Sequence, residues 1–184
     1  MKNSPIQKYI LKNERNFGIA ATVAESWPEV REKVISVFLD RLELRMVKKL
    51  KGWKFEREKS STLDRYTNFY FWKSAWEDQY YLCLHFGDSG HEMSFGVFRA
   101  EDHIGKRKFS TDLLSSVRII YPSARPRTYW EAEIEMHSPA RDWQKPEALW
   151  LMHKDNTFLE EVADQLLRLA RNSTPILDRL SRRK

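Results

Sequence analysis

Trp27, Val30, Val34, Phe38, Leu42, Met46 and Leu50 recur at spacings of three and four. That is the period of one helix face, and it predicts a long amphipathic helix ending near Lys51. Ser26-Trp27-Pro28-Glu29 has the form of a capping box, with a hydroxyl for the free N–H groups and Pro in the first turn. Gly52 is a stop signal. Beyond it the period falls to two, as a strand requires. Trp53 and Phe55 alternate with Lys54 and Glu56, and Trp53 is expected in the core against the helix. Residues 66–72 are aromatic and rich in strand formers. Residues 79–86 and 93–98 flank Gly87-Asp88-Ser89-Gly90 and read as a hairpin.

The period returns to 3.6 at Ser110-Thr111-Asp112, where Leu113, Leu114, Val117 and Ile120 form an inward face that ends before Pro122. Residues 128–136 alternate again. Glu131, Glu133 and Glu135 fall on one face, and Trp130, Ala132, Ile134 and Met136 on the other. The C-terminal part reads as helical. Thr157 to Glu160 resembles a second capping box, Phe158, Val162, Leu166 and Leu169 form a stripe, and Thr174-Pro175 is expected to start a separate short helix. The reading is α+β: residues 1–25 as an N-terminal arm, then one domain over residues 26–184. In that domain a long N-terminal helix and C-terminal helices pack a mainly antiparallel, aromatic-rich sheet.

Composition narrows the chemistry. With 184 residues, 41% of them hydrophobic, the chain is long enough for a core without staples. A single Cys, Cys83, excludes an internal disulfide and a Cys-rich zinc site. Alternating with Leu82 and Leu84, it reads as a small apolar residue. No apolar run approaches the ~18 residues of a membrane span, and no secretory h-region follows Met1, so a cytoplasmic protein is expected. Neither Gly87-Asp88-Ser89-Gly90 nor Gly105-Lys106-Arg107-Lys108 is a nucleotide-binding motif. Glu56-Arg57-Glu58-Lys59 with Asp64 is a poor match to the acids and Lys of a metal-dependent nuclease and reads as a solvated hairpin end. His85, Asp88, His91 and Glu92 gather near a turn without a specified third ligand, so no metal and no cofactor is expected. The Glu131, Glu133 and Glu135 row reads as a solvent face, with an acidic contact surface or a face covered by basic residues of the long helix as alternatives.

The order of elements resembles a known family. The helix through Leu42 and Met46 to Gly52-Trp53, the aromatic meander, the hairpin ending Phe95-Gly96-Val97, the Tyr129-Trp130 strand and the helix near Phe158 together resemble the C-terminal region of certain PD-(D/E)XK-superfamily proteins of bacteria and their mobile elements. The resemblance spans roughly residues 30–180. In that group the nuclease core lies upstream, and too few residues precede the long helix here to hold it. The resemblance therefore implies an accessory domain without the catalytic half.

Charge supplies the remaining signal. Lys and Arg number 32 against 26 acids, a net charge of +6, which suits an acidic or nucleic-acid partner. Basic residues occur at Arg41, Arg45 and Lys48 to Lys51 on the helix, at Lys106, Arg107 and Lys108, at Arg125 and Arg127, and from Arg179 to Lys184. Nucleic-acid binders combine such charges with exposed rings. Trp72, Trp76, Trp143 and Trp150 are the ring candidates. The expectation is a non-enzymatic module that grips a protein or a nucleic acid through Lys106, Arg107, Lys108, Arg125, Arg127, Trp76 and Trp143. A divergent metal-dependent nuclease and a subunit completed by its own copy, a homodimer, are the alternatives.

Overall fold

The computed structural model describes residues 4–58, 66–100 and 108–182. A short helix α1 (Pro5–Ile10) leads into α2 (Glu14–Lys49), followed by strands β1 (Lys54–Arg57), β2 (Tyr66–Trp72), β3 (Tyr80–Gly87) and β4 (Glu92–Arg99). Helix α3 (Thr111–Ile120), strands β5 (Arg125–Arg127) and β6 (Trp130–Glu135), and helices α4 (Pro146–Lys154) and α5 (Asn156–Ser181) complete the order. The strands form one antiparallel sheet in the order β1-β2-β3-β4-β6-β5. The fold is α+β in a single domain, as the periodicity predicts. No described helix is long and apolar enough to cross a membrane.

The core lies between one face of the sheet and the helices. Phe69 and Phe71 of β2 pair in register with Leu84 and Leu82 of β3, and these with Phe95 and Val97 of β4. Ile35, Phe38, Leu42 and Met46 of α2 pack on this face, joined by Phe158, Val162 and Leu166 of α5. Trp143 stands edge-on to both Phe38 and Phe86, with ring centroids at 5.2 Å in each pair. Gly52 takes φ +81 just past α2 and turns the chain into β1. Trp53 is half-buried, not fully so, and meets Trp76 edge-on at 5.0 Å.

Two prolines overturn the expected helix boundaries. Helix α2 starts at Glu14, capped by Asn13, and runs through Pro28, so Ser26 is a helical residue and not a cap. Trp27 and Val30, expected in the buried stripe, are 37% and 46% exposed. In the same way α5 is capped by Asp155, not Thr157, and continues through Pro175. Buried Leu169, Ser173 and Leu177 lie on both sides of Pro175; this packing outweighs the ~3 kcal/mol penalty of an interior proline. Arg41 and Arg45, two of the basic residues on the helix, are half-buried and bonded within the chain. Arg41 donates to the Met152 carbonyl at 3.2 Å, and Arg45 pairs with Glu160 at 2.5 Å.

Candidate functional site

Alternation along a strand gives the sheet a second face, and among the described residues no helix packs on it. Tyr70 and Trp72 alternate with the core residues Phe69 and Phe71, and Tyr81 alternates with Leu82. Phe98 of β4 lies opposite Tyr81. A register irregularity beyond Val97 then pairs Phe98 with Trp130. Such a bulge re-aims the residues around it. Trp130 therefore joins this second face and not the core face expected for it. Glu131, expected in the solvent row, is buried beside Arg99 and accepts the Ser110 backbone N–H at 2.7 Å.

The rings form one chain. Trp72 meets Tyr81 at 5.2 Å, Tyr81 meets Tyr70 at 5.5 Å, and Tyr70 meets Phe98 at 5.8 Å. Phe98 stands edge-on to Trp130 at 5.2 Å and stacks with Tyr129 at 6.0 Å. Together they line an open hollow of about 1000 Å³. Carboxylates stand around it: Glu56 and Glu58 on one side, Glu77 and Asp78 on another. Lys54 is paired with Glu77 at 2.7 Å. Two titrating groups register this negative surround. Burial raises the Tyr81 phenol above its usual range; a backbone bond from Asp78 opposes this, and the charges of Asp78, Glu77 and Glu56 add to it. Burial also pushes the Cys83 thiol well up, with the Glu58 charge acting in the same sense.

Below the rings lies a polar relay. Asn68 donates to both Glu58 carboxylate oxygens at 3.1 Å. Its own oxygen accepts from the Cys83 thiol at 3.3 Å and from His85 Nδ1 at 2.7 Å. That contact puts a proton on Nδ1, and burial lowers the His85 pKa, so the imidazole is neutral at pH 7. A thiol held protonated is a poor nucleophile. Among the described residues no group of three or more His, Cys, Asp or Glu is placed to hold a metal ion. His91, expected near His85, pairs instead with Asp142 at 3.2 Å.

The residues singled out from the sequence do not converge here. Lys106 and Arg107 lie outside the described residues, and Lys108 is exposed. Arg125 and Arg127 are committed to acids across the β5–β6 hairpin: Arg127 to Glu133 at 2.5 Å, Arg125 to Glu133 at 3.6 Å and to Glu135. Trp76 and Trp143 are fully buried in the core, so neither is a contact ring. Trp72 is 7% exposed at the hollow, and Trp150 is 59% exposed elsewhere. The ring-lined hollow was missed, although its signal is present in residues 66–72: a strand aromatic on both faces has one aromatic face to spare when helices cover only the other. The chain matches no protein-family model, no curated protein and no solved structure.

Proposed function

We propose that this chain is a non-catalytic binding module that grips a protein partner through the uncovered sheet face, taking a Lys or Arg side chain of that partner into the ring-lined hollow. The carrying observation is the continuous chain of rings with carboxylates on its rim. Ring faces attract cations, and the rim acids supply complementary charge. The same rim repels phosphate, and Arg125 and Arg127 are already ion-paired, which favours the protein partner over nucleic acid. A cytoplasmic setting and a bacterial or mobile-element origin belong to the same proposal.

Calorimetric titration with short peptides tests it. Peptides rich in Arg or Lys are expected to bind, and the same peptides with citrulline in place of Arg to bind weakly. Tyr129→Ala removes an exposed ring at no cost to the core, and Glu58→Gln removes a rim charge. Each is expected to weaken binding about 3–30-fold. Equal affinity for Arg and citrulline peptides overturns the reading, as does binding of oligonucleotides that displaces the peptide.

A further inference from the structure

We infer that two copies of this chain pair antiparallel through the N-terminal half of α2. From Glu14 to Val30 no residue of that helix is buried, a length of roughly 25 Å. Gly18 and Pro28 lie inside it, at about 1 and 3 kcal/mol of helix propensity lost. A helix with such residues and no buried face of its own is stabilised by packing, not by propensity.

The exposed residues supply the face. Ala20, Val23, Trp27, Val30, Val34 and Val37 recur at three, four, three, four and three. That is the 3.5-residue period of a two-helix seam. Val23, Trp27, Val30 and Val37 are 58%, 37%, 46% and 41% exposed, and Ala20 and Val34 are half-buried. The downstream part of the seam borders an apolar groove of about 660 Å³ closed on its other side by Met152 and His153 of α4. The upstream part projects without packing on the domain.

An antiparallel arrangement sets the projecting part of each copy on the groove of the other. Ala20 then faces the partner's Val37, Val23 the partner's Val34, and Trp27 the partner's Val30. At the flanks Ser26 meets the partner's Lys33 and Ala24 the partner's Arg31, so no like charges oppose. Helices meeting over about 18 residues touch along roughly 27 Å, and the α4 wall extends the contact sideways. A standard interface needs roughly 800 Å² per partner.

Sedimentation and disulfide trapping test the pairing. The wild type is expected to sediment as a dimer that dissociates on dilution. Val30→Glu places a carboxylate against Trp27 twice per dimer and is expected to weaken association by at least about 100-fold. Its melting in the monomer should match that of the wild-type monomer, because Val30 is 46% exposed at the edge of the α4 groove and lies outside the core. In mild oxidant the double variant Ala20→Cys with Val37→Cys should form a linked dimer and neither single variant should; the native Cys83 is buried and does not interfere. A wild type that stays monomeric at every concentration overturns the proposal, and so does linking by the single variants, which requires parallel helices.

Discussion

Trp76 donates its indole N–H to Asp178 at 2.7 Å, a bond that helps fasten the turn after β2 to α5. The other Asp178 oxygen accepts from Lys73 at 2.8 Å. Trp76 is fully buried, so its N–H has no recourse to water. Asp178→Ala is expected to cost about 1–3 kcal/mol, the penalty of a stranded buried donor. Asp178→Asn keeps an acceptor and should cost much less. Urea unfolding of the two variants checks this, and equal losses would refute the role given to the bond.

Gly96 is fixed by close approach. A Cβ there would lie 1.9 Å from the Ala132 carbonyl oxygen, which is backbone and cannot swing away. Gly96→Ala should therefore cost more than the ~1–3 kcal/mol of ordinary overpacking. It should also loosen the β4–β6 pairing beneath Phe98 and Trp130. Amide hydrogen exchange along β4 and β6 is the measurement, and unchanged protection would contradict the expectation.

His85 makes stability depend on pH. Burial lowers its native pKa below the ordinary 6.5, so on acidification the unfolded chain takes up this proton first. Stability should fall as pH drops below about 6.5, by at most ~1.4 kcal/mol per pH unit, until the native pKa is passed. Glu131 acts with the opposite sign. Burial raises its native pKa above 4.5, though the Ser110 bond and the Arg99 charge oppose the shift. Its contribution is therefore lost as pH rises from 4.5 through that raised value. Replacing His85 by Gln should flatten the first slope and leave the second. Denaturation midpoints across pH 4–8 distinguish them.

Two prolines offer a paired comparison. Pro175 lies within a helix that is packed on both sides of it, and Pro28 within a stretch, residues 14–30, in which no residue is buried. Pro175→Ala should raise global stability, by up to about 3 kcal/mol. Pro28→Ala should increase helicity by circular dichroism and leave the melting of the monomeric core unchanged, because local fraying there is uncoupled from global unfolding. A larger effect on the core at Pro28 would reverse this assignment.

These prolines also mark where the sequence stops being readable. Phe38, Leu42 and Met46 are visible as a helix face, and the strands of residues 66–72, 80–87 and 92–99 are visible as runs of strand formers around turn signals, because those signals are local. A proline reads locally as a boundary. Contacts set by distant chain, those of Leu169, Ser173, Leu177 and Asp178 among them, keep α5 whole. Helix α4 was not foreseen because Pro146 at its first position carries no hydroxyl cap before it. The placement of β6 between β4 and β5 depends on pairing, which no residue encodes alone. The candidate site shares that cause. Phe98 and Trp130 are 32 residues apart in sequence and meet through a bulge. The alternation of residues 128–136 is regular and gives no sign of it.

The one-sided helical cover also sets a sequence of events during synthesis. Strands β1 to β4 adjoin their chain neighbours and are able to pair as they emerge. Helix α2, made first, is at hand to cover part of the Phe71, Leu82 and Val97 face they create; the rest waits for α5, which begins more than fifty residues after β4 ends. At ~5–20 residues per second, the part of that apolar face that α5 covers stands open on the ribosome for several seconds. Nascent chains halted before Asn156 should therefore engage chaperones and precipitate on release, whereas chains carried past Ser181 should not.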